Sequence, residues 1–187
     1  PQLLLKLEHL ESLKCSKLFG KLSFPETLSS LSISDFDFDY TDGWHRFPKS
    51  LTSLSMGPYL HVSDPKYVML KDLPQSLINF KLESQDWTFI EGDYLPPSVR
   101  SFSLMCKSNS FDATMLPSSL EKLSLIDIKL VNPHIIPKTV TNLNIDKKKF
   151  VGKLVRNQSE ISEILPNELR SLRIRMDGVS FTIDAPL

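Results

Sequence analysis

One pattern recurs seven times along this chain of 187 residues, and it limits the folds that the chain can adopt. The pattern is an apolar residue, proline, any residue, serine or threonine, an apolar residue, two variable residues, and two apolar residues separated by one variable residue. Its prolines are 20 to 29 residues apart: Pro25, Pro48, Pro74, Pro96, Pro117, Pro137 and Pro166. Only Glu168 replaces the hydroxyl residue. Self-similarity at such a period predicts a chain of stacked repeats.

An eighth unit precedes these seven and lacks the proline. Leu10, Leu13 and Cys15 occupy its three apolar positions. Together the eight units cover most of the chain, so we predict a single repeat domain over residues 1–187. Because the first residue is Pro1 and not Met, we expect the domain to be a piece of a longer protein or a processed chain.

The spacing within each unit predicts one short strand. The last two apolar residues are two apart, so they face the same side of a strand. The apolar residue before them belongs to a turn, which the preceding proline fixes through its restricted backbone and missing N–H. We expect the serine or threonine in this turn to bond local backbone. Stacked units would then bury a continuous core behind a curved parallel sheet.

The segment Leu28-x-x-Leu31-x-Ile33 and its counterparts resemble the leucine-rich-repeat superfamily. The Leu-Pro-x-Ser-Leu phase is similar to FNIP-type repeats and to the leucine-rich regions of fungal F-box proteins, and bacterial effector repeats also begin with Leu-Pro. The resemblance implies a leucine-rich-repeat solenoid: a curved parallel β-sheet of about eight short strands with irregular, mostly non-helical return segments. The Asn or Cys that usual repeats carry after the strand is replaced here by Leu18, Phe36, Tyr59, Gln85, Lys107, Ile128, Lys148 and Asp177.

The return segments and the two ends carry further patterns. Residues 35–40 alternate acidic and aromatic side chains, which predicts a second short strand. Leu3, Leu5 and Leu7 are assigned to a preceding unit, and residues 179–184 to a closing strand. Aromatic residues of the return segments are expected in the core, namely Trp44, Trp87, Phe89, Phe111 and Phe150.

Charge and composition argue against several classes of function. Lys and Arg number 22 and Asp and Glu number 22, so no basic excess points to nucleic acid. The longest apolar run is four residues, 67–70, which is too short for a membrane span. The four histidines fall in different units, and no zinc, phosphate-loop or nucleophile motif occurs. We therefore predict no metal, no small-molecule cofactor and no enzymatic activity.

The two cysteines are interpreted separately. Cys15 takes a core position, so we expect a buried, inert thiol. Cys106 follows a predicted strand, where its side chain could be exposed. Two cysteines do not form a disulfide framework, and the chain is therefore expected inside the cell, in the cytoplasm or the nucleus.

Candidate binding residues follow from the strand alternation, because the neighbours of the core positions point out on the concave face. Lys81, Met105, Lys122 and Ile126 are predicted to be near neighbours, and Arg173 with Arg175 a second cluster. Chance exposure of these side chains is the alternative interpretation. The full candidate set is Asn79, Lys81, Glu83, Ser101, Ser103, Met105, Lys122, Ser124, Ile126, Asn142, Asn144, Asp146, Arg173 and Arg175.

These observations predict a non-enzymatic scaffold that binds another protein through its concave face. The resemblance implies a specific version, the substrate-recognition region of an F-box-type ubiquitin-ligase receptor. A pathogen effector that binds a host protein is an alternative, and an enzyme with a loop site near Cys106 or His134 is a rival. Residues 1–93 carry a net charge of −4 and residues 94–187 one of +4, so a field along the stack should orient a partner.

Overall fold

Eight parallel strands, one for each repeat, lie side by side in the computed structural model. The structure describes residues 2–19, 23–37, 47–57, 66–68, 70–84, 87–90, 92–106, 110–146, 165–176 and 179–184. The elements in chain order are the helix α1 (Gln2–Leu5) and the strands β1 (Ser12–Phe19), β2 (Ser30–Asp37), β3 (Ser53–Met56), β4 (Lys66–Val68), β5 (Asn79–Ser84), β6 (Trp87–Phe89), β7 (Ser101–Cys106), β8 (Ser110–Asp112), β9 (Lys122–Ile126), β10 (Lys129–Val131), β11 (Asn142–Asp146), β12 (Ser171–Met176) and β13 (Val179–Asp184).

The long sheet follows the repeat order. Its strands are β1, β2, β3, β5, β7, β9, β11 and β12, all parallel, and β13 closes it by pairing antiparallel with β12. Equivalent repeat positions lie side by side, so that Leu31 pairs with Leu54 and Leu54 with Phe80. The predicted solenoid and its closing strand are thus confirmed.

The core lies behind this sheet and is built from the three apolar positions of each unit. In β7 the burial alternates strictly, with Phe102, Leu104 and Cys106 facing inward. The turn positions from Leu28 to Val140 are fully covered as well, whereas Leu10 and Leu169 in the two end repeats are partly buried. Each such side chain contributes about 1.5–3 kcal/mol when buried, and each core residue packs against equivalents in the neighbouring repeats.

The hydroxyl residue of each turn bonds the preceding repeat, not the local backbone that the sequence predicts. Its side chain donates to the carbonyl of the turn leucine or valine one repeat earlier. The bonds join Thr27 to Leu10 (3.0 Å), Ser50 to Leu28 (2.8 Å), Ser76 to Leu51 (2.7 Å), Ser98 to Leu77 (2.7 Å), Ser119 to Val99 (3.0 Å) and Thr139 to Leu120 (2.7 Å). This series, the hydroxyl ladder, supplies an inter-repeat contact in place of the absent asparagine ladder.

The proline turn presents the hydroxyl to this acceptor. In each proline-marked repeat the carbonyl of the proline accepts a hydrogen bond from the N–H three residues later, as from Leu77 to Pro74 at 3.0 Å. The strand then begins where one carbonyl accepts two successive N–H groups of the next repeat, as Ile78 does from Arg100 and Ser101. Each repeat is thereby held to its neighbour before the regular ladder starts.

The return side contains short strands and single turns of 3-10 helix. β4 pairs with β6 and β8 with β10, and the described 3-10 helices are Leu70–Asp72, Ala113–Met115 and Pro133–Ile135. None of the helices in the described ranges is long and apolar enough to cross a membrane.

Two of the predicted core aromatics are confirmed. The rings of Phe89 and Phe111 meet edge to face with centroids 5.2 Å apart, and Phe111 packs on Phe102 at 5.4 Å. Such pairs add roughly 0.5–1.5 kcal/mol beyond burial. Trp44 and Phe150 lie outside the described residues, as does the side chain of Trp87.

Polar side chains also join neighbouring repeats on the return side. Asp93, only 6% exposed, accepts hydrogen bonds from the backbone N–H groups of Leu70 and Lys71 in the preceding repeat. Asp112 accepts from Thr114 and from the side chain of Asn132 in the next repeat, the latter at 3.0 Å. Because buried or anchored carboxylates need such donors, these two aspartates fix the return segments to one another.

Two sequence predictions about local structure are corrected. Residues 35–37 continue β2 and pair with residues 17–19 of β1, so they form no separate strand, and residues 38–40 lie outside the described ranges. The alternation correctly indicated a strand, but these residues belong to β2 of the long sheet. At the N-terminus the chain forms helix α1, and Leu5 and Leu7 are 47% and 45% exposed rather than packed as a repeat.

Candidate protein-binding surface

The face of the long sheet that points away from the core, here called the open face, corresponds to the predicted concave face. Strand alternation gives each repeat two or three outward side chains. The register sets them in columns, so that Lys122 lies between Ser101 and Asn142, and Ser124 between Ser103 and Asn144. Outward positions that are far apart in sequence therefore form one continuous surface.

A shallow depression of about 260 Å³ lies on the open face over β7, β9, β11 and β12. It unites seven of the predicted site residues: Ser101, Ser103, Lys122, Ser124, Asn142, Asn144 and Arg173. Ser171 also lines it, with parts of Phe102, Leu123 and Leu143 at its floor. Ser171 was absent from the candidate set, although its column position could have placed it there.

The polar groups of the depression are partly bonded to one another. The Nδ2 of Asn144 donates to the Oγ of Ser124 at 3.0 Å, and the Oγ1 of Thr141 donates to the Oδ1 of Asn142 at 2.9 Å. The Oδ1 of Asn144 is buried and accepts no hydrogen bond from the described residues, so a ligand in the depression does not reach it in this side-chain conformation.

The charge of the depression is positive. Lys122 and Arg173 are both exposed, and no Asp or Glu is among the lining residues. Asp146 lies beyond the lining, paired in register with Arg175. Arg173 and Arg175 lie two residues apart on one face of β12, and Arg173 but not Arg175 lines the depression.

The predicted central group of four neighbours is not formed. Lys122 stands four residues from Ile126 on β9, about 13 Å along the strand, and beside Ser101 and Asn142 instead. Lys81 lies next to Ser103, and its Nζ forms an ion pair of 2.6 Å with Glu83. Asn79, Lys81 and Glu83 therefore flank the depression on β5 without lining it.

Met105 and Ile126 do pair in register, yet the prediction of an exposed apolar anchor at Ile126 is wrong. Ile126 is only 7% exposed although it does not belong to the continuous core behind the sheet. Strand alternation alone does not reveal this burial. Met105 remains partly exposed.

The two thiols differ from expectation in opposite ways. Cys15 is half-buried, with its Sγ 3.8 Å from the carbonyl oxygen of Ser32, and burial raises the pKa of this thiol. Cys106 is fully buried in the core, so its expected exposure is wrong: β7 extends through this residue and turns it inward. A loop-based site around Cys106 would have no access to substrate.

Possible metal ligands are scattered. Within the described ranges, no three His, Cys, Asp or Glu side chains come together as a metal site would require. His134 is exposed on the 3-10 helix Pro133–Ile135, on the return side.

Comparison with solved structures identifies the architecture. The chain is similar to CroV588, described as a novel circular LRR protein, with a TM-score of 0.63 and 23% sequence identity. The fold is a leucine-rich-repeat solenoid. The match covers 83% of this chain and 22% of that protein, so the chain spans about a fifth of the length of its structural neighbour. No family profile matches the chain, and no curated protein does.

Proposed function

We propose that this solenoid is a non-enzymatic scaffold that binds a partner protein through its open face, centred on β7, β9, β11 and β12. The observation that carries the proposal is the depression, where the register of four strands assembles outward side chains from four repeats. Leucine-rich-repeat solenoids generally bind other proteins, and their stacked strands offer a broad surface for this.

The size of the open face suits a protein partner. Eight strands at about 4.8 Å spacing extend over roughly 34 Å, and a standard interface buries about 800 Å² on each partner. The second and third repeats present small serines, such as Ser30, Ser32, Ser53 and Ser55, whereas the last repeat presents Arg173 and Arg175. Arginine is enriched in interfaces and serine is depleted, so the second half of the sheet carries the proposed contact.

The more specific roles remain part of this proposal. The resemblance to fungal F-box proteins favours a substrate-recognition region of a ubiquitin-ligase receptor, and that to bacterial effectors favours a domain that holds a host protein. Cys15 and Cys106 are not joined by a disulfide, in keeping with a cytoplasmic or nuclear location. Co-purification of ligase subunits with the full-length protein would support the first role and oppose the second.

Affinity capture with matched variants tests the proposed surface. Ser124 lies in the depression, where Ser124→Arg would fill the space, whereas Ser118 is exposed in a proline turn and Ser118→Arg changes charge equally. We expect a partner retained by the native chain and by Ser118→Arg to be lost with Ser124→Arg, while far-ultraviolet circular dichroism stays unchanged. A partner retained equally by both folded variants would contradict the proposal.

A further inference from the structure

We propose that the depression binds an acidic peptide segment, one rich in Asp and Glu, of the partner protein. The inference rests on the proposed function and adds the chemistry of the partner to it. Two properties of the depression support it: the sign of its charge and the donors that line it.

The charge of the open face favours an anionic partner. Across the outward positions of β9, β11 and β12, the cations are Lys122, Arg173 and Arg175, and the carboxylate is Asp146. Lys122 has no ion-pair or hydrogen-bond partner for its ammonium group within the described part of the chain. An exposed cation beside a concave, carboxylate-free lining attracts acidic groups and repels basic ones.

Two cations outside the depression form ion pairs with carboxylates of the chain itself. Lys81 pairs with Glu83 on β5, and Arg100 pairs with Glu121 at 2.5 Å along the strand-entry edge. Both pairs lie outside the lining of the depression. Lys122 differs from these two cations because it lies in a lining that contains no Asp or Glu.

The neutral side chains of the lining are suited to a carboxylate. Ser101, Ser103 and Ser124 carry hydroxyl groups that can donate, and the amides of Asn142 and Asn144 carry N–H donors. A carboxylate accepts several hydrogen bonds at once, and charge-assisted bonds are about twice as strong as neutral ones. The lining therefore combines cations with short, fixed donors.

A peptide differs from a bare anion because it supplies backbone N–H and C=O groups beside its carboxylates. The Oγ of Ser124 accepts a hydrogen bond from the Nδ2 of Asn144, which leaves the hydroxyl proton of Ser124 free to donate to a carboxylate. The lining therefore offers an oriented hydroxyl donor to an acidic side chain.

Selection from random peptides displayed on phage tests the inference without a known partner. The purified chain is the bait, and a selected peptide is then synthesised together with its analogue in which each Asp becomes Asn and each Glu becomes Gln. Affinities are measured for the native chain, Lys122→Glu and Lys129→Glu. Lys129 lies on β10 of the same repeat but on the return side, so its reversal is the matched control for charge.

We expect selected peptides to be enriched in Asp and Glu and to lose about tenfold or more in affinity as the amide analogue. Lys122→Glu should cost a similar factor, whereas Lys129→Glu should change affinity by less than about twofold. Affinity should also fall as salt rises.

Other results would overturn the inference. Peptides without acidic residues that bind wild-type and Lys122→Glu chains equally, yet are lost with Ser124→Arg, would contradict it and leave the proposed function standing. Peptides unaffected by both variants would contradict the proposed function as well. An oligonucleotide that binds as tightly as the peptides and depends on Lys122 would replace the acidic peptide with a nucleic acid.

Discussion

The hydroxyl of Ser119 lies 3.0 Å from the carbonyl oxygen of Val99 in the preceding repeat and shares its one proton between this oxygen and that of Pro97, 2.5 Å away. The same relationship recurs from Thr27 to Thr139 along the stack, so the hydroxyl position of the repeat is an inter-repeat bond and not a local one. The hydroxyl bond therefore adds a third connection between the turns of neighbouring repeats, beside the packing of the turn leucines and the backbone bonds at the start of each strand.

Removing one bond of the hydroxyl ladder should lower stability measurably. Ser119→Ala leaves the carbonyl of Val99 without its hydroxyl donor, and we expect a loss of about 1 kcal/mol and a fall in melting temperature of roughly 2–4 °C. Ser118→Ala in the same turn is the control, because the Ser118 side chain is exposed. Equal stabilities of the two variants in chemical denaturation would contradict the ladder's role.

Completing the ladder should stabilise the last repeat. Glu168 stands where the other proline-marked repeats carry a hydroxyl, and the corresponding carbonyl is that of Val140. Glu168→Thr restores the donor, so we expect about 0.5–1 kcal/mol of added stability. Glu168→Ala, which removes the charge without adding a donor, separates the two effects, and a gain of the same size from alanine would contradict the explanation.

A close backbone approach makes Gly57 sensitive to any side chain. A Cβ at this position would lie 2.3 Å from the carbonyl oxygen of Ser34, well inside contact distance. Because that atom belongs to the backbone, Gly57→Ala must shift β3 against β2, and we expect a loss of roughly 1–3 kcal/mol. Ser55→Ala, two residues earlier on the same face, introduces no new atom and should be nearly neutral in the same thermal melts.

Asp112 should make stability depend on pH in the acid range. Its bond from the backbone N–H of Thr114 (2.9 Å) is the main factor that holds the pKa of this carboxyl below its usual value of 3.8. A lowered folded pKa gives stability that is present above pH 3.8 and lost as the pH falls through the folded value.

We therefore expect the stability difference between wild type and Asp112→Ala to shrink below pH 3.8, measured by urea unfolding across a pH series. Glu26→Ala, at an exposed turn position, is the control for general charge effects. A difference that stays constant into strong acid would show that the bond does not depend on the ionised carboxylate.

The repeat pattern predicted the long sheet because its apolar positions are the side chains that the sheet buries. Leu31, Leu54 and Phe80 stand in equivalent positions and pair in register, as the period requires. The acceptors of the hydroxyl ladder could not be predicted. The repeat pattern locates each donor side chain, but it does not show which carbonyl of the preceding repeat lies within hydrogen-bond distance. The alternation in residues 35–37 correctly predicted a strand. It could not predict that these residues pair with β1, because the length over which β1 and β2 remain hydrogen-bonded is not visible in the alternation.

The sequence predicted which face of the sheet each candidate residue occupies, but not which candidate residues lie together in one depression. Alternation placed Ser103, Ser124 and Asn144 on the open face, and the structure joins them in one depression. The burial of Ile126 and the pairing of Lys81 with Glu83 depend on side-chain conformations around them. Position in a repeat therefore predicts the face of a residue, whereas its neighbours decide whether it is available to a ligand.

Photo-crosslinking tests the central claim most directly, namely that the open face of the second half contacts the partner. A photoreactive amino acid is placed at Arg175, exposed on the open face beside the depression, or at Lys129 on the return side, and each chain is irradiated with the captured partner. We predict a covalent adduct from position 175 and none from position 129. An adduct formed only from position 129 would contradict the account.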